Sequence, residues 1–140
     1  TTRKALCMLD LDTVKPGTVL FDFGDCVRSA ANPAGENAED LDRVGIDLSF
    51  FEAITRVYLS EAGSFLLPKE LGMLPASVKV ITFELGLRFL ADYLRGDTYF
   101  KIKYPAHNLH RSRVQFRLLE SIESTEKRMI SFVAQFAVSR

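Results

Sequence analysis

The last third of the chain constrains the fold most. Between residues 108 and 136, apolar side chains stand at Leu118, Leu119, Ile122, Met129, Ile130 and Val133, opposite a charged face. This is the period of an α-helix, sustained far beyond the length of a strand. The segments before it are punctuated in the same sense. Ser49-Phe50-Phe51-Glu52 has the form of a capping box, in which the serine and the glutamate satisfy each other's backbone donors. Phe50, Ile54, Val57, Tyr58 and Glu61 follow at helical spacing, and Gly63 is the expected stop. Pro68 suits the first turn of a short helix, 68–73. Pro75 is expected to open a longer one, 75–95, ended by Gly96.

The first third reads differently. Ala5-Leu6-Cys7-Met8-Leu9 is a continuous apolar run, the pattern of a buried strand over 5–11. Pro16-Gly17 is a turn signal, 18–21 would be extended, and Asp22 would cap a helix over 22–30. Residues 32–47, rich in Asn, Gly, Pro and acids, read as a surface loop. The expected fold is mainly α: a short β-hairpin remnant followed by four or five helices in one domain, 1–140. A lone strand is unstable without a partner, so an N-terminal portion is expected to be missing from this chain.

Charge and cysteine content narrow the class. Eighteen basic residues balance eighteen acidic ones, which argues against a nucleic-acid or membrane-surface protein. No apolar run is long enough to span a bilayer and no signal-peptide pattern opens the chain. Two cysteines, Cys7 and Cys26, are too few for a disulfide framework and fit a reduced, cytoplasmic protein.

Three sets of residues could carry chemistry. In Leu9-Asp10-Leu11-Asp12 the alternation of a strand puts Asp10 and Asp12 on one side. Paired carboxylates at the end of a strand suit Mg²⁺, which takes one or two carboxylates, waters and substrate phosphates; solvated loop aspartates are the plainer alternative. Asp22-Phe23-Gly24 spells the metal-binding signature of protein kinases. The catalytic loop that should lie about twenty residues upstream has no His or Asn to build it, so Asp22 reads as a capping or bracing residue. Glu84 and Arg88 are i,i+4 neighbours beside Ile81, Leu85 and Ala91. Arg88 is therefore expected to be partly buried and in need of an acceptor, either Glu84 or a substrate group. Tyr99 could turn toward the same cleft. His107 and His110, with Arg111 and Arg113, read as a solvated helix start.

The blocks Leu9-Asp10-Leu11-Asp12-Thr13-Val14-Lys15-Pro16-Gly17 and Phe21-Asp22-Phe23-Gly24-Asp25-Cys26-Val27-Arg28-Ser29-Ala30-Ala31-Asn32 resemble N-acetylhexosamine 1-kinases, of the aminoglycoside phosphotransferase and choline kinase superfamily. So do the run from Glu84 to Lys101 and Tyr104-Pro105-Ala106-His107-Asn108-Leu109. The resemblance implies the helical C-terminal lobe of a protein-kinase-like fold, with ATP bound between it and a β-rich lobe. It implies Asp10 as the Mg²⁺ ligand with Asp12 assisting, Asp22 as a brace, and Arg88 and Tyr99 as sugar contacts. The reaction implied is transfer of the ATP γ-phosphoryl group to the anomeric hydroxyl of a GlcNAc- or GalNAc-like sugar. The His-Gly-Asp loop with its catalytic aspartate, the nucleotide-binding lysine and the phosphate-covering loop are absent from these residues, so the chain alone is expected to be inactive. Kinases of choline, homoserine or an aminoglycoside, and a non-catalytic helical interaction module, are the competing readings.

Overall fold

The computed structural model describes Cys7, Leu11 and residues 14–138. Four helices carry the architecture: α1 (Val19–Ala30), α2 (Leu48–Ala62), α3 (Pro68–Leu94) and α4 (His107–Val138). A short 3-10 turn, Leu41–Arg43, interrupts the loop before α2, and another, Gly63–Phe65, extends its end. The mainly α expectation holds. Among the described residues there is no strand. The predicted strand over 5–11, apart from Cys7 and Leu11, and the carboxylates Asp10 and Asp12 lie outside the described residues.

The second arm of the expected hairpin is corrected. Val19-Leu20-Phe21 is the first turn of α1, not an extended stretch, because Thr18 rather than Asp22 is the cap. The Thr18 hydroxyl accepts the Leu20 N–H at 3.3 Å, satisfying one of the donors that every helix leaves open at its start. Asp22 sits in the first turn, where its charge favours the helix dipole. The α2 cap also moves. Asp47, not Ser49, closes the helix: its carboxylate accepts from the Ser49 N–H at 2.8 Å and the Ser49 hydroxyl at 2.6 Å. Those bonds, the hydroxyl's foremost, hold the Asp47 carboxyl below its usual range.

The two helices expected around Pro75 are one. Pro75 lies inside α3 and is buried. Proline fixes a helical φ and removes one donor; packing along the full length of α3 outweighs that single missing bond. The start of α3 is closed by Glu70, which accepts the Leu67 N–H at 2.9 Å.

α3 is the centre of the bundle, with α1 and α4 as its principal neighbours. Phe23, Val27, Phe51, Leu59, Leu74, Val78, Val114, Leu118, Ile122, Met129 and Val133 form the core. Four of the six apolar positions expected on α4 are buried, whereas Leu119 is half-buried and Ile130 exposed. On α2 the buried face is Phe51, Thr55, Leu59 and Ala62, while Phe50 and Val57 are exposed. That helix has aromatic and aliphatic residues on both sides, so periodicity alone cannot choose the face.

Two glycines set the helix spacing. A Cβ on Gly24 would lie 2.8 Å from the Ser77 carbonyl oxygen, so α1 touches the backbone of α3. A Cβ on Gly86 would lie 3.2 Å from both Gln115 Cβ and Phe116 Cε1 of α4. The kinase-like triplet Asp22-Phe23-Gly24 is thus read by packing: Phe23 fills the core and Gly24 permits the close approach.

Candidate functional site

The site is built where α3 ends and the chain turns back into α4. Extending the buried face of α3 through Val78, Thr82 and Phe89 brings the next position to Asp92, which is 5% exposed. A carboxylate so placed needs donors, and it has four. Oδ1 accepts the N–H groups of Thr98 at 3.0 Å and Tyr99 at 2.9 Å. Oδ2 accepts the Phe100 N–H and the Asn108 side-chain amide, each at 2.9 Å. Burial alone would raise the pKa of this carboxyl. The backbone donors from Phe100, Tyr99 and Thr98 outweigh burial and hold it below the usual range. Asn108 is itself fully buried and also donates to Asp97 at 2.8 Å. Asp97 takes a left-handed φ of 57°, a conformation aspartate adopts more readily than most residues.

This clasp fixes the segment that bears Tyr99. The Arg88 guanidinium lies 5.7 Å from the Tyr99 ring centroid and 5.4 Å from that of Phe100, and Phe100 packs on Phe89 at 4.6 Å. Arg88 and Tyr99 meet in an open cleft of about 390 Å³ that Asp92, Arg95, Thr98 and Phe100 also line. Arg88 is less buried than its apolar neighbours suggested, with 46% of its side chain exposed; it sits on the rim of α3 and pairs with Glu84 at 3.7 Å. Tyr99 is 74% exposed.

A second groove, of about 430 Å³, opens on the other side of Arg88 between α1 and α3. Asp22, Asp25, Glu36 and Glu84 line it together with Arg28, Arg88 and Arg111. Sequence reasoning placed Asp22, Glu84 and Arg88 individually; the groove brings all three together. It missed Glu36, which bridges Arg111 of α4 at 3.0 Å and Arg28 of α1 at 3.6 Å. Arg28 also binds Asp25 at 2.8 Å. The only sequence signal for Glu36 was a carboxylate within a loop rich in turn residues.

The two histidines correct the expectation of a solvated helix start. His107 is 1% exposed. Its Nδ1 accepts the Lys103 N–H at 3.3 Å, which leaves the ring proton on Nε2 to donate to Asn37 Oδ1 at 2.8 Å. Burial and then the charges of Arg111, Lys103 and His110 push its pKa down, with Glu36 opposing. His110 is half-buried and contacts the Ala38 carbonyl at 2.6 Å. Both rings pin the 32–47 loop onto α4. Cys7 and Cys26 are free, exposed thiols.

Among the described residues, no group of three or more His, Cys, Asp or Glu side chains is arranged to hold a metal ion. Of the groove carboxylates, Asp25, Glu36 and Glu84 are each taken by an arginine. Among the described residues, no helix is long and apolar enough to cross a membrane. No family model matches the chain.

Proposed function

We propose that this chain is the acceptor-binding lobe of an ATP-dependent small-molecule kinase whose acceptor is an N-acetylhexosamine. The observation that carries the reading is the meeting of Arg88 and Tyr99 over Phe100 in an open cleft beside a groove of nearly balanced charge. A guanidinium supplies directional donors to sugar oxygens, and two rings supply an apolar platform, the combination expected of a small polar ligand. An aminoglycoside, which carries several ammonium groups, needs free carboxylates. Three of the four in the groove are already paired with arginine, which favours a neutral sugar over such a polycation.

In this reading the cleft fixes the sugar and leaves its anomeric hydroxyl for the incoming phosphoryl group; positioning of this kind is the main contribution a protein makes to phosphoryl transfer. ATP is the co-substrate. Mg²⁺ would be held by Asp10, with Asp12 beside it, and would offset charge on the phosphate oxygens. The γ-phosphoryl group moves from the ADP oxygen to the sugar oxygen, whose proton leaves to a carboxylate supplied from outside these residues. An apolar hollow of about 250 Å³, lined by Leu20, Phe21, Met73, Val80 and Ile81, is consistent with a further lobe packing here. The rival reading, a non-catalytic helical module, predicts Arg88 paired with Glu84 alone; the guanidinium also lies over two rings.

The test is titration of the ¹⁵N-labelled chain with GlcNAc, GalNAc, choline and an aminoglycoside. The proposal expects the sugars alone to shift the Arg88 Nε–H and Tyr99 amide resonances. Shifts there with choline or the aminoglycoside, and none with the sugars, would overturn the acceptor assignment.

A further inference from the structure

Asp92 lies buried against the cleft beside Thr98, Tyr99 and Phe100, and it is the most heavily engaged carboxylate among the described residues. Its two oxygens take three consecutive backbone N–H groups, from Thr98, Tyr99 and Phe100, at 2.9–3.0 Å. Three successive amides can converge on one carboxylate only if the backbone wraps around it, and that wrapping sets the direction in which Tyr99 and Phe100 leave the chain. The fourth donor, Asn108, ties the same carboxylate to the first turn of α4. Arg111, one turn further on, donates to Asn108 Oδ1 at 3.3 Å and bonds Glu36. Arg111 also lies 4.8 Å above the Phe89 ring, which packs on Phe100.

We infer that Asp92 is the positioning residue of the acceptor cleft: its carboxylate, locked by Asn108, holds Tyr99 and Phe100 under the Arg88 guanidinium. The inference rests on the acceptor-cleft reading for its functional meaning but on the hydrogen bonds alone for its geometry. Four elements meet in this network, since Asp92 belongs to α3, Asn108 and Arg111 to α4, Glu36 to the loop and Arg28 to α1. Tyr99 is exposed, and among the described residues its ring contacts are Phe100 at 4.8 Å and the Arg88 guanidinium. Without the clasp, a 74%-exposed tyrosine on a loop samples many rotamers, and each binding event must first order it.

A carboxylate is specifically required. An amide at position 92 keeps the shape, but offers one accepting oxygen and turns an N–H₂ group toward N–H donors. The informative variant is therefore Asp92→Asn, with Asn108→Ala as a second variant that leaves the carboxylate but removes its lock. Amide hydrogen exchange of Thr98, Tyr99 and Phe100 is read alongside that of the α4 core. GlcNAc binding is followed through the Tyr99 amide and Arg88 Nε–H resonances.

The wild-type chain is expected to protect all three loop amides. Asp92→Asn is expected to expose them by tenfold or more while core amides of α4 keep their protection, and to weaken GlcNAc binding by a similar factor. If the loop amides open in the variant but the wild-type chain never binds GlcNAc, the positioning stands and the sugar reading fails. Unchanged loop protection in Asp92→Asn overturns the inference. Should that variant not fold, Asn108→Ala and the wild-type exchange rates decide: unprotected amides at 98–100 in the wild type, or full protection in Asn108→Ala, overturn it equally.

Discussion

Replacing Gly24 by alanine adds a single methyl group at the α1–α3 contact, and the expected effect can be worked from the geometry. The new Cβ would stand 2.8 Å from the Ser77 carbonyl oxygen and 3.0 Å from the Ser77 carbonyl carbon and from Ile81 Cγ1. Two of these three atoms are backbone and cannot rotate away. Restoring an ordinary contact of 3.4 Å requires α1 and α3 to part by about 0.6 Å. Overpacking of this kind costs about 1–3 kcal/mol. The helix itself prefers alanine by about 1 kcal/mol, so the net loss is about 1 kcal/mol, with about 2 as the upper end. For a chain of this size each kcal/mol moves the melting temperature by about 4 °C. Gly72 is the internal control: it is exposed on α3 and its Cβ would meet nothing within 4 Å. Gly72→Ala should gain about 0.5–1 kcal/mol from propensity alone. Thermal unfolding followed by far-ultraviolet circular dichroism then gives opposite signs for two chemically identical changes. A Gly24→Ala chain as stable as the wild type, or more so, would refute the close-contact argument.

Further outcomes follow from the same structure. Leu118, 1% exposed, and Ile130, 50% exposed, lie on the same helix: Leu118→Ala should cost about 2–5 kcal/mol in denaturant unfolding, and Ile130→Ala no more than about 0.5. His107 has its folded pKa below the ordinary value of 6.5. As pH falls through about 6.5 the unfolded chain takes the proton first. Stability should therefore decline from there and level off below the folded pKa, a slope that His107→Gln should flatten when melting temperature is plotted against pH. Removing the Arg88 guanidinium in Arg88→Ala, or the Tyr99 ring in Tyr99→Ala, should weaken GlcNAc binding about tenfold or more. Neither should change the melting temperature by more than a degree or two, because Tyr99 is largely exposed and Arg88 about half exposed at the rim of α3.

What was legible in the sequence was legible for physical reasons. The α4 stripe is long enough for its period to be unambiguous, and it placed Leu118, Ile122, Met129 and Val133 in the core. Helix ends were less so. Thr18, Asp22, Asp47 and Ser49 are all competent caps, and tertiary packing chose among them. Pro75 misled because proline is a better marker of a helix start than of its interior, yet the buried face of α3 runs straight through it. Arg88 and Tyr99 stood out by type and proximity in sequence. Asp92 did not, since a carboxylate at the end of a helix usually faces water. Its role depends on a loop that returns to it six to eight residues later, a closure that no local pattern announces. His107 is hidden from local pattern for the same reason: its ring bonds Asn37, seventy positions away.

The most direct test of the central claim is phosphoryl transfer itself. A polypeptide carrying this chain behind a nucleotide-binding lobe, supplied with Mg²⁺ and γ-labelled ATP, is assayed on GlcNAc and GalNAc, with choline and an aminoglycoside alongside. Asp10→Ala is run in parallel. The account predicts label on the anomeric oxygen of the sugars only, with the rate reduced by orders of magnitude in the variant. A folded, Mg²⁺-supplied polypeptide that labels neither sugar, or one that labels choline instead, would contradict it.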